Sequence, residues 1–148
     1  MNIKDFLSPD CVMVDVRVAD KITLLRRLAR RAAAYIDVAA DHIAAELLKR
    51  EDLGSTGTGG GVAIPHARLP EVKRPFGMLI RLQDAIDFDA IDGQPVDIVF
   101  ALLLPARPEG EQLSALACVA RKLRDAGALK DLRGAKDDKK MYSLMVQD

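Results

Sequence analysis

The sequence predicts a single α/β domain, and three observations carry the prediction. At 148 residues, 49% of them hydrophobic, the chain can bury one sizeable core and is short for two. Its hydrophobic period changes along the chain: a strand-like opening, two helical stretches, several apolar extended runs and a helical end, the order of one α/β layer structure. No repeat, linker or low-complexity segment interrupts residues 1–148.

The valine-rich run "CVMVDVRV", Cys11 to Val18, alternates loosely and reads as the first strand. Asp20 is placed to cap a helix from about Lys21 to Ile36, in which Leu24, Leu25, Leu28, Ala32 and Tyr35 recur at helical spacing. Arg26, Arg27, Arg30 and Arg31 fall on the opposite side and read as a solvated face, since acidic residues elsewhere balance them. Asp41 is expected to cap a second, shorter helix over "HIAAELLKR". Beyond a glycine-rich loop, "VAIPHARL" and "FGMLIRLQ" read as strands. A short extended segment and a turn at Asp92-Gly93 precede the apolar run Val96 to Leu104, which has the pattern of an interior strand covered on both faces. Glu111 to Leu123 then forms a helix with Leu113, Leu116, Ala117, Ala120 and Leu123 inward, and "DDKKMYSLMVQ" a last helix.

Composition removes several function classes. Lys plus Arg and Asp plus Glu number 22 each, so no net basic field attracts a polynucleotide, and no nucleic-acid partner is expected. Cys11 and Cys118 lie far apart in apolar surroundings and read as buried reduced thiols, which suits the cytoplasm. No signal-peptide pattern and no stretch long enough to span a bilayer is present, so no membrane insertion is expected. His42 and His66 share no ligand spacing, so neither a metal nor a cofactor is expected.

The chemistry concentrates in "GSTGTGGGVAIPHAR", Gly54 to Arg68, which holds half of the ten glycines and one of the two histidines. A phosphate-binding P-loop requires Gly-Lys-Ser/Thr, but Gly61 is followed by Val62-Ala63. A dinucleotide fingerprint fails on spacing, and Ser55 is not on a nucleophile elbow. A neutral imidazole needs no base to activate it and leaves about as readily as it attacks, which suits His66 to reversible phosphoryl transfer. An incoming phosphoryl group calls for N–H groups, hydroxyls and a guanidinium. Gly57, Gly59, Gly60 and Gly61 offer the first, Ser55 and Thr56 the second, and Arg50, ending the preceding helix, the third. The competing reading makes the segment a surface loop, His66 structural and Arg50 a helix cap.

"KREDLGSTGTGGGVAIPHARL", together with "FDAIDGQPVDIVFALLLP" and "EQLSALACVARKL", resembles the IIA domain of the bacterial phosphoenolpyruvate-dependent phosphotransferase system, fructose/mannitol class. The opening "FLSPDCVMVDVRVADKITLLRRLARRAA" is most similar to the nitrogen-regulatory branch. The resemblance implies a mixed β-sheet flanked by α-helices, and a phosphoryl group received on His66 from the phosphohistidine of a small carrier protein. It also places Arg50 at that phosphoryl group. Gln112 stands where many family members carry a second active-site histidine; an amide donates a hydrogen bond but does not titrate. Thr58 replaces the usual isoleucine of the loop.

The resemblance implies a cytoplasmic phosphocarrier that signals nitrogen, carbon or energy status by changing its regulatory targets with the state of His66. The alternative is a sugar-transport component that passes the group to a sugar-specific IIB domain. A third reading keeps the fold as a binding module without phosphorylation.

Overall fold

The computed structural model describes residues 1–107 and 110–147, and, within 110–114, the backbone but not the side chains. The expected helix over Glu111 to Leu123 therefore has its backbone described, while the inward placing of Leu113 lies outside the described residues.

Two short 3₁₀ turns, Ile3–Asp5 and Pro9–Cys11, lead into β1, Val12–Val16. The strand stops two residues short of the expected Val18, because Asp15 adopts a positive φ of 55° and its pairing with the neighbouring strand slips there. Asp20 caps α1, Lys21–Ala33, by accepting a hydrogen bond from Thr23 N. Leu24, Leu25, Leu28 and Ala32 are buried as the spacing predicts, and the four arginines stand outward. Tyr35 departs from the expectation: the helix ends before it, and its exposed ring packs on Phe76 at 6.0 Å between centroids. Helix α2, Ala40–Asp52, is longer than expected and begins after Ala39, so Asp41 lies in its first turn rather than capping it. There its carboxylate still complements the helix dipole.

The glycine-rich segment contains β2, Gly57–Gly59, and β3, Val62–Ala63, joined antiparallel. Gly60 and Gly61 between them take φ of 68° and 80°, the two positive angles that a type I′ hairpin turn requires. The single strand expected over "VAIPHARL" is split, and β4, His66–Leu69, begins after Pro65, which has no N–H to donate to a ladder. β5 spans Phe76–Ile86 and β6 Val96–Pro105. Gly93, at φ 72°, and the Asp92 side chain, which accepts from Gln94 N, make the expected turn between them.

The sheet is mixed, in the order β1-β5-β6-β3-β2, with β4 also on β6. β6 is its axis: β5 runs antiparallel on one edge, while β3 and then β4 share the other in parallel. Every residue from Ile98 to Leu104 is buried, which requires cover on both faces because successive side chains point oppositely. Helices α1 and α2 pack together and reach β5 and β4. Helix α3, Gly110–Arg124, reaches β6, α4, Ala126–Gly134, bridges α3 and α5, and α5, Asp138–Val146, lies against β1.

The buried stripe of α3 is Ala115, Val119 and Leu123; Leu116 and Ala120 are half-buried and Ala117 is exposed. That corrects the expected face by about one residue. Both cysteines are free, but Cys118 is only half-buried, with its thiol donating to Met1 O at 3.1 Å. Among the described residues no helix is long and apolar enough to cross a membrane.

Candidate functional site

His66 opens β4, in register with Leu102 of β6. Its backbone is fixed by the preceding residue, whose carbonyl accepts from Leu102 N at 2.9 Å. The ring is half-buried, and Nδ1 lies 2.8 Å from Ile64 O. A carbonyl only accepts, so in the neutral ring Nδ1 carries the proton and Nε2 keeps the lone pair.

Burial pushes the His66 pKa below the usual histidine value; the Ile64 carbonyl opposes that shift, and the positive charges of Arg50 and Arg68 add to it. The ring is therefore neutral at physiological pH. The two guanidiniums that disfavour a proton on the ring favour an arriving anion beside it.

Arg50, Arg68, His66, Lys49, Glu46, Leu53 and Ala67 line one pocket of about 320 Å³. Arg50 reaches it from the last turn of α2, with Nη1 donating to Gly54 O at 2.8 Å. One of its five N–H donors thus closes the helix end, so capping and a place in the pocket are compatible. Arg68 was not singled out in the sequence, although it stands two residues beyond His66 on the same strand and so shares its face. Glu46, Lys49, Leu53 and Ala67 were not singled out either, and Leu53 stands 83% exposed at the pocket rim.

The remaining loop groups are put to other use. The Ser55 hydroxyl donates its single proton to Phe88 O at 2.8 Å and accepts from Gly57 N at 3.0 Å. The Thr56 hydroxyl and backbone N–H both bond to the Glu51 carboxylate. Gly60 N donates to Asp92 at 3.0 Å. Gly61 is pressed against Arg133 and Asp97, and the Gly60 carbonyl accepts from Arg133 at 2.7 Å. Val62 pairs with Ile98 and His66 with Leu102, so Val62, the residue that follows the hairpin turn, precedes His66 by four residues of β6, about 13 Å along the sheet. The glycines at 57, 59, 60 and 61 build a hairpin; none of them lines the His66 pocket, nor does the exposed Thr58. The side chain of Gln112 lies outside the described residues.

Among the described residues no group of three or more His, Cys, Asp and Glu side chains is arranged to hold a metal ion. His42 does not line this pocket: it faces Glu71 at 3.5 Å on the exposed start of α2, one turn before Glu46.

The family model for the phosphoenolpyruvate-dependent sugar phosphotransferase system, EIIA 2, matches residues 5–147. The chain belongs to this EIIA family. Within it, a nitrogen regulatory protein of Bradyrhizobium diazoefficiens is 41% identical over 146 residues, covering 99% of this chain and 95% of that protein. A fructose-like EIIA component of Escherichia coli is 32% identical over 118 residues, 79% of this chain and 80% of that protein. The crystal structure of nitrogen regulatory protein IIA-Ntr from Neisseria meningitidis superposes with a TM-score of 0.92 at 31% identity, over 97% of this chain and 98% of that one. The mannitol IIA of Escherichia coli shares the EIIA fold, with a TM-score of 0.77 at 15% identity over 94% of this chain and 98% of that one. Family membership makes this chain a component of phosphoryl transfer, and the mixed sheet and the five α-helices among the described residues have the fold of IIA proteins.

Proposed function

We propose that this chain is a cytoplasmic phosphocarrier that accepts a phosphoryl group on Nε2 of His66 and signals through the charge this adds. One observation carries the reading: a half-buried neutral imidazole, its proton committed to the Ile64 carbonyl, shares a pocket with Arg50 and Arg68. The donor is the phosphohistidine of a small carrier protein. The Nε2 lone pair attacks its phosphorus; a P–N bond forms on His66 as the donor's P–N bond breaks, and the donor ring leaves with that electron pair. The Nδ1 proton stays in place, and its bond to Ile64 O supports the positive charge that the substituted ring acquires. Arg50 and Arg68 neutralise the phosphoryl oxygens, a job that electrostatics and positioning accomplish without a further covalent step.

The regulatory use is supported by the nitrogen regulatory relatives, which match nearly the whole chain. The transport reading has its own support: a mannitol IIA protein of the same fold has been solved in complex with phosphorylated mannitol IIB. Phosphorylation places about −1.5 to −2 charges in the pocket, enough to change which surface docks over Leu53 and the basic rim.

The distinguishing experiment compares the phosphorylated protein, the unphosphorylated protein and His66→Ala in parallel affinity capture, alongside the lifetime of the phosphoprotein with a IIB domain. A regulator keeps its phosphoryl group and has a partner whose affinity differs at least about tenfold between the two states. Identical partner sets, with rapid discharge onto a sugar-specific IIB domain, would leave transport as the function.

A further inference from the structure

Glu51 is almost fully buried, yet it is charged and lies one residue from the pocket. Its partner is Lys21, at the start of α1, 2.8 Å from Oε2; the two side chains are 5% and 16% exposed. Lys21 also reaches Asp89 at 3.2 Å and lies 4.9 Å from the centre of the Phe88 ring. A buried ion pair is weak as a source of stability, because desolvation offsets most of the attraction, whereas its geometry is strict. Both Glu51 oxygens accept from Thr56 N, each at 3.1 Å, and Oε1 also accepts the Thr56 hydroxyl. Thr56 O accepts from Ile64 N at 2.9 Å. Ile64 O accepts from His66 Nδ1 at 2.8 Å.

We infer that Glu51, clamped by Lys21, is a positioning residue for His66: through Thr56 and Ile64 it aims the carbonyl that holds the imidazole proton on Nδ1. The inference rests on His66 as the phosphoryl acceptor and explains how its Nε2 is kept ready. Thr56 and Ile64 are the two feet of the β2–β3 hairpin, so the carboxylate fixes one foot and the backbone bond transmits that position to the other. An imidazole without a fixed acceptor distributes its proton over both nitrogens, and the tautomer protonated on Nε2 has no lone pair there to attack with.

The test is heteronuclear NMR of the histidine rings in the full-length chain near neutral pH, without any phosphoryl donor, with His42 as internal reference. Wild type shows one His66 tautomer, protonated on Nδ1. Glu51→Ala and Lys21→Met give mixtures, and Thr56→Val a smaller shift in the same direction. Glu51→Gln, whose amide oxygen still accepts from Thr56, retains the wild-type tautomer. Phosphoryl acceptance from the carrier falls in the same order, by about tenfold in Glu51→Ala. If Glu51→Ala does not fold, Lys21→Met and Thr56→Val decide the matter. A single Nδ1-protonated tautomer and an unchanged rate in every folded variant overturn the inference. A wild type that takes no phosphoryl group overturns the acceptor assignment instead, and the tautomer pattern still reports whether Glu51 aims the ring.

Discussion

His66 combines two properties that ordinarily conflict: it is partly removed from water, and it has to meet a dianion. The environment resolves this by taking the positive charge off the ring and placing it on Arg50 and Arg68 instead. Protonation of the ring destroys the nucleophile, and the ring's pKa is lowered below its usual value of about 6.5. The rate of phosphoryl acceptance should therefore be flat from alkaline pH down to about 6.5 and decline only at more acid pH. Arg50→Ala removes a charge that opposes protonation, so its decline should begin at higher pH; stopped-flow or quenched labelling across pH reads both effects. The linkage to folding has the matching sign. Because the unfolded chain binds the proton more readily, the contribution of neutral His66 to stability is complete above about 6.5 and is lost as pH falls through the folded pKa. Denaturant titrations of wild type and His66→Gln should accordingly converge or cross on acidification.

Arg50 tests a different property of the pocket. Lysine keeps the charge but not the planar fork, so Arg50→Lys should slow transfer and Arg50→Ala should slow it more, while the lost bond to Gly54 O costs at most about 1.5 kcal/mol of stability. Equal transfer rates in wild type and Arg50→Ala would reduce Arg50 to a helix cap. His66 and Arg50, which share one pocket, stood out in the sequence because each announces its chemistry by residue type and neighbourhood. Glu51 did not, since its importance comes from burial and from Lys21, thirty positions earlier in the chain and brought close only by folding.

The hairpin of β2 and β3 is where reading the sequence and reading the structure part company. A run of glycines signals a backbone with positive φ, and both an anion cradle and a type I′ turn satisfy that signal. Sequence spacing does not say which way the N–H groups point; the pairing of Gly57 with Ala63 and the contacts of Gly60 with Asp92 and Arg133 do. A Cβ at Gly61 would meet the Arg133 guanidinium at a positive φ, so Gly61→Ala should destabilise the fold by about 1–3 kcal/mol in chemical denaturation. If Gly61 instead cradled the phosphoryl group, the same variant would lose phosphoryl acceptance out of proportion to its stability. The α3 face shows a second limit: its buried stripe is Ala115, Val119 and Leu123, and small residues in a close helix–sheet contact carry less hydrophobic signal than a half-buried leucine beside them. Helix α1, with strong leucine spacing, was legible. Leu28 is fully buried there, and Leu28→Ala should cost about 2–5 kcal/mol.

The molecule as a whole is built around β6, whose nearly continuous apolar run, broken only by Asp97, identified it as an interior strand from sequence alone. Its neighbours were another matter: strand order depends on which crossovers fit, and β3 and β4 divide one edge of β6 between them because Pro65 interrupts the ladder. That division sets His66 at the start of a strand, beside the end of α2 that carries Arg50, which is how residues on separate elements come to share one pocket. The most direct measurement is site-resolved NMR and mass spectrometry of the protein after incubation with phosphoenolpyruvate, the upstream phosphotransferase and its small carrier. A single acid-labile, base-stable phosphoryl group on Nε2 of His66, absent in His66→Ala and retained in His42→Ala, is the predicted result. A label on Nδ1, on Ser55 or Thr56, or one that persists in His66→Ala would contradict it.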